Sequence, residues 1–155
     1  MPRLFSLLLA LCLLVPVVSS AIDEADVREK AKTVYALYLT PFEAYNMKKQ
    51  LGDDVLLVDI RTRPELKYTG ASDMIDANIP ARFMRSDFAW SERAQTYRTT
   101  RNEHFVEDME KLLEVRNADK NPPIILMCTS GSSVPGIAKK LKAAGFSKVY
   151  SQYQG

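Results

Sequence analysis

The chain has 155 residues, 46% of them apolar, and a formal charge of +2 at neutral pH. That is enough material for one compact domain and too little for two. The near-neutral balance, without a basic block, acidic tail or repeat, gives no footprint for nucleic acid.

The chain opens as a signal peptide would. Pro2 and Arg3 make a short positive start, Leu4 to Val18 is an almost unbroken apolar run, and Ser19-Ser20-Ala21 supplies small residues for a peptidase. The run of about 15 residues is short of the ~20 that span a bilayer. Residues 1–21 are therefore expected to be a signal cleaved after Ala21, giving a periplasmic or secreted protein with no membrane span once the signal is removed. Cys12 leaves with it, and Leu11 before it is not the small residue of a lipoprotein site. Cys128 is then left without an internal partner in a compartment that favours disulfides. A solitary exported thiol is either buried or used.

Residues 22–38 read as a lead-in, with a polar, mobile or helical start over Asp23 to Lys32. The β-branched and aromatic Val34-Tyr35-Ala36-Leu37-Tyr38-Leu39 predicts a first strand. Thr40-Pro41-Phe42-Glu43 matches a capping box with proline at the first helical position, so a helix is expected through Leu51 to a stop at Gly52. Val55 to Arg61 predicts a second, buried strand. Strand, helix, strand calls for a right-handed crossover and a parallel sheet, so the class is α/β. Asp59 and Arg61, two apart, are expected to share a face and brace a neighbouring loop as an ion pair.

Residues 62–104 carry weaker signals. Asp76-Ala77-Asn78-Ile79-Pro80 predicts a short strand, followed by a long connection in which Trp90 and Tyr97 pack locally. Arg82, Arg85, Arg93, Arg98 and Arg101 make that connection basic, a solvated face from which some could reach an anion. Thr100-Arg101-Asn102-Glu103 matches a second capping box, and Phe105, Met109, Leu112 and Leu113 form the apolar stripe of a helix ending near Asn117. His104, the single histidine, is expected at the surface. Without a second histidine or a cysteine cluster no metal is called for, and no cofactor either.

The stretch that carries chemistry is Pro122 to Gly136. Ile124-Ile125-Leu126-Met127 predicts a strand buried on both faces, and Cys128 ends it. Thr129-Ser130-Gly131-Ser132-Ser133 is a small-residue loop, and Ile137, Ala138, Leu141 and Ala144 then recur at helical spacing up to Gly145. Ligands bind at the carboxyl edge of such sheets. A thiolate is the nucleophilic form of cysteine, and a helix N-terminus or a nest of amides favours it. The alternative is a buried cysteine that merely ends a strand.

Taken together, these segments resemble the rhodanese-like sulfurtransferases. Val55 to Arg61 followed by Pro64-Glu65 resembles the family's first signature, Asn78-Ile79-Pro80 its second, and Ile124 to Gly131 its active-site strand and loop. Ala143-Ala144-Gly145-Phe146 with Val149-Tyr150 is similar to the closing segment. The likeness runs from about Leu39 to the C-terminus, which sets a domain at 39–155. It implies a doubly wound domain, a central parallel sheet flanked by helices, whose Cys128 takes a sulfane sulfur as a persulfide. The cradle is the amides of Thr129, Ser130, Gly131, Ser132 and Ser133, with Asp59 and Arg61 in support. A sulfur donor such as thiosulfate and a thiol or cyanide acceptor are the implied partners, with ping-pong kinetics.

Three features depart from the family pattern. Thr129 and Ser133 stand where the loop often carries arginine, which removes part of its pull on anionic donors. A longer Gly70–Pro80 segment replaces the glycine-histidine-isoleucine before the proline. The chain ends at Gly155, where relatives continue into a closing helix, so that helix is expected to be absent or replaced by another subunit. Phosphatases of this architecture need arginine six residues after the cysteine, and Val134 stands there. Two readings follow: a sulfurtransferase using Cys128, or a rhodanese-like module of weak or no turnover that holds a protein partner or small ligand.

Overall fold

The computed structural model describes residues 22–118 and 121–153. The expected signal, residues 1–21, lies outside the described residues. Among them, no helix is long and apolar enough to cross a membrane.

The domain is built on a five-stranded, wholly parallel sheet. Its strands are β1 (Tyr38–Leu39), β2 (Leu56–Asp59), β3 (Ala77–Asn78), β8 (Ile124–Met127) and β9 (Val149–Gln152), in the order β1-β9-β8-β2-β3. The helices are α1 (Pro41–Leu51), α2 (Arg63–Thr69), α3 (Phe105–Val115) and α4 (Val134–Ala143). The central strands are buried on both faces, which is why they read as continuous apolar runs. Alternation along each strand feeds two cores. Leu56, Val58, Ile124 and Leu126 meet Phe105, Met109, Ile137 and Leu141 of α3 and α4, while Leu57 and Ile125 meet Ala44 and Met47 of α1. The α/β, doubly wound architecture read from the sequence is the one observed.

Two helix starts follow one rule. The Thr40 hydroxyl accepts from the Glu43 amide while the Glu43 carboxylate accepts from the Thr40 amide, and Thr62 and Glu65 repeat the device at α2. The Thr100–Glu103 match is not a cap. Thr100 is paired with Phe83 in a small antiparallel ribbon of β4 (Arg82–Met84) and β7 (Thr99–Arg101), and α3 starts only at Phe105, behind His104 rather than behind Thr100. Asn102 organises this start instead: its Oδ1 accepts from the His104 amide and its Nδ2 donates to Pro80 O and Asp108. Beyond that ribbon, β5 (Trp90–Ser91) and β6 (Thr96–Tyr97) form another, with Trp90 edge-on to Tyr97 at 5.1 Å. The connection is thus an arm of two ribbons.

The first strand is shorter than 34–39. Ala36 takes a left-handed conformation (φ 51°) and its amide closes a turn on Thr33 O, so only Tyr38 and Leu39 join the sheet. Arg61 likewise lies past the end of β2, its amide turned back onto the Asp59 carboxylate. Ala144 is exposed beyond α4 rather than part of its buried stripe. Gly145, at φ 92°, makes the helix stop that its sequence position suggests.

Candidate active site

The sheet order fixes where a site can form. After β2 the chain moves outward to β3, and after β8 it moves the other way to β9, so the carboxyl ends of β2 and β8 flank a topological switch point. Asp59 and Met127 are register partners there, and the Ile60 amide donates to Met127 O at 2.9 Å. Arg61 and Cys128 leave the sheet side by side.

Cys128 is half-buried, touching the core on one side and lining a cleft of about 540 Å³ on the other. The Thr129–Ser133 loop carries it into α4, which has no acidic residue in its first turn and no side-chain cap at Ser133. Among the described residues, none of the five amides from Thr129 to Ser133 donates to an acceptor in the protein. Unpaired main-chain donors at a helix N-terminus make a positive cup. Gly131, buried at φ 71°, makes the sharp turn, with the Tyr153 ring 4.0 Å from where a Cβ would stand. Val134 is fully buried, so the position six residues after the cysteine faces the core.

Two hydrogen bonds from outside hold this loop. The Thr129 hydroxyl donates to Glu65 Oε1 at 3.0 Å. Burial pushes the Glu65 carboxyl up, but hydrogen bonds from Thr62 and Thr129 and the charge of Arg61 outweigh it and leave it below its ordinary value. On the far side, Arg28 Nη2 donates to Ser130 O at 3.0 Å, its amide donates to the Tyr153 hydroxyl, and its guanidinium lies 5.7 Å from that ring's centroid. Two 3-10 turns over the lead-in, Glu24–Asp26 and Glu29–Ala31, seat Val27 and Ala31 beside Tyr38 and Tyr153. In a trans peptide the N–H points opposite the carbonyl. Tethering Ser130 O to Arg28 therefore turns the Gly131 amide away from Arg28.

Asp59 is fully buried, and Arg61 grips it through Nε and Nη2, the latter at 2.6 Å from Oδ2. The same guanidinium donates to Thr69 Oγ1 and Gly70 O, bracing the segment after α2. Hydrogen bonding to Asp59 raises the already high pKa of Arg61, and Cys128 lies close enough to add to that shift. A fixed cation therefore stands within electrostatic reach of the sulfur.

A comparison with family models matches residues 41–155 to the rhodanese-like domain. The chain belongs to the rhodanese-like family. No curated protein matches it. Among solved structures, Rv0390 from M. tuberculosis is similar, at 25% identity over 78% of this chain and 80% of that one, with a TM-score of 0.48.

Within this rhodanese-like domain, Cys128, the small-residue loop and the Asp59–Arg61 pair all meet at one sheet edge. The cleft's other wall, formed by Tyr68, Arg82, Met84 and Tyr97, comes from α2 and the ribbon arm. Arg28, Glu65 and Tyr153 were missed in the sequence. Glu65 was legible, because Thr62 and Glu65 repeat the spacing of Thr40 and Glu43. Arg28 had no local signal, lying 102 residues from its partner Ser130.

Proposed function

We propose that this protein is an exported sulfurtransferase that carries a sulfane sulfur as a persulfide on Cys128. The observation that carries the reading is a half-buried thiol at the switch point, followed directly by five unpartnered amides and a helix N-terminus. That environment suits an anion which forms during reaction, since donors fixed beforehand need no reorganisation.

In the first half-reaction the Cys128 thiolate attacks the outer sulfur of thiosulfate. The S–S bond of the donor breaks, sulfite leaves with the bonding pair, and the enzyme holds Cys–S–S⁻. The amides of Thr129 to Ser133 stabilise the terminal sulfur anion, and Arg61 adds charge from the strand side. In the second, cyanide or a thiolate attacks that terminal sulfur, giving thiocyanate or a persulfide and returning the thiolate. Arg28 and Glu65 act as positioning residues, through Ser130 O and the Thr129 hydroxyl.

Intact mass after incubation with thiosulfate tests the reading. The chain without residues 1–21 is expected to gain one sulfur atom, removable by cyanide, and Cys128→Ser to gain none. No gain with any sulfane donor would leave the binding-module reading in its place. Export is tested separately, by the N-terminus of the secreted protein, expected at Ile22.

A further inference from the structure

Beside the cysteine cleft lies a second hollow of about 410 Å³, lined by Arg82, Arg101 and Lys140 together with Ser132 and Ser133. Arg82, Ser132 and Ser133 line both, so the two run into each other along the loop. No carboxylate lines the second.

The arginines are placed against electrostatic expectation. Arg82 and Arg101 are direct cross-strand partners in the β4–β7 ribbon, and opposite residues of an antiparallel pair share a face. Like charges set opposite one another destabilise a ribbon, and a three-residue ribbon has little else to offset them. Neither guanidinium is in an ion pair among the described residues. Arg82 donates only to the uncharged Thr99, through its hydroxyl at 2.6 Å and its carbonyl at 3.2 Å, and Arg101 makes no hydrogen bond among the described residues. Glu103, whose carboxyl the charge of Arg101 helps to lower, accepts its hydrogen bond from Lys140 at 2.8 Å. The Ser133 end of α4 adds to the positive potential of the two arginines, with no acid in its first turn. An anion held by both guanidinium groups would offset their repulsion, and a planar oxyanion matches the fork of donors that each presents.

We propose that Arg82 and Arg101 form an oxyanion subsite beside the cysteine loop, which holds the carboxylate of a small sulfur compound whose sulfur lies at Cys128. The subsite itself stands on the arginine geometry, while the sulfur end of the ligand rests on the proposed sulfurtransferase activity. Two cations from the ribbon arm thereby supply, from outside the loop, the anion attraction that Thr129 and Ser133 do not. The substrate class narrows to thiols or persulfides with a carboxylate at the other end, in preference to neutral thiols.

Titration of the 15N-labelled protein with succinate and with neutral succinamide, at fixed ionic strength, tests the subsite without turnover. Succinate is expected to saturate below about 10 mM, shifting the amides of Arg101, Ser132, Ser133 and Gly136, while succinamide shifts none of them. Arg101→Ala and Arg101→Gln, at an exposed position, are each expected to weaken succinate about tenfold or more. Arg93→Ala, on the outer ribbon, leaves succinate affinity as it was. Failure to saturate, shifts elsewhere, or equal weakening in Arg93→Ala would overturn the subsite. A second arm compares mercaptosuccinate with mercaptoethanol as acceptor: wild type favours the first, and Arg101→Ala loses the preference. If no persulfide forms yet succinate binds as described, the sulfurtransferase reading falls and the subsite stands. If persulfide forms but succinate does not saturate, only the subsite falls.

Discussion

Two carboxylates with hidden side chains, one on β2 and one just before β3, make an instructive pair. Asp76, just before β3, takes the ammonium of Lys48, the guanidinium of Arg116 and the Leu57 amide, with side-chain exposure of 6% for the acid and 9% for the lysine. Lys48 also donates to Gly52 O and Val55 O, so all three of its protons are engaged. Asp59, at the carboxyl end of β2, is fully hidden, but its cation opens onto the cysteine cleft and reaches Thr69 and Gly70 at the end of α2. The same chemistry knots the fold at one end of the sheet and steadies reactive loops at the other. An ion pair acquires a functional consequence when its cation stands beside a reactive group, as Arg61 does beside Cys128.

The difference can be broken at either end. The largest effect is expected from Asp76→Ala, which strands the Lys48 ammonium among carbonyls and should cost about 3–5 kcal/mol, read as a lower urea midpoint. Arg61→Lys keeps the charge but loses the two-pronged grip on Asp59. Its stability loss should be smaller, about 1.5–3 kcal/mol, yet it should slow persulfide formation where Asp76→Ala, assayed below its transition, does not. An equal slowing in both would dissolve the distinction. Arg28→Ala removes the tether on Ser130 O, and a loss of about 1.4 kcal/mol would appear as tenfold slower sulfur uptake with a melting temperature shifted by only a few degrees.

The smallest effect is a pH dependence. Because the folded pKa of Glu65 lies below its ordinary value, its contribution is fully present above the unfolded pKa. It is lost as pH falls through the lower, folded one. Stability measured from neutral pH to below 4.5 should therefore decline more steeply in wild type than in Glu65→Gln. Parallel curves would remove Glu65 as a titrating anchor of the loop.

The sheet was legible because strands buried on both faces must be apolar throughout. The α1 boundaries were legible because a capping box and a C-terminal glycine are local signals. The same local pattern misled at Thr100, where strand pairing with Phe83 outweighed a possible cap. At Thr62 the same pattern, with Glu65 three residues on, is a real box. The cysteine loop was readable as a segment, because small residues between strand and helix announce themselves. Its outside supports were not, since Arg28 and Tyr153 meet it only through the folded chain. The ribbon arm was least readable: its strands are two or three residues long, and Gln95 makes its turn at φ 49° without a glycine to mark it.

The match to the rhodanese-like domain begins at residue 41, yet β1 ends at Leu39. Ser151 donates to Leu37 O and Tyr153 to Leu39 O, so among the described residues this two-residue strand is what pairs with the outer rim of β9. A fragment cut at the match boundary would bare a run of main-chain donors and acceptors next to apolar Val149 and Tyr150. Exposed rims of that kind recruit further chains. Such a fragment should precipitate or self-associate, however intact its cysteine, so preparations meant for biochemistry ought to begin no later than Ile22.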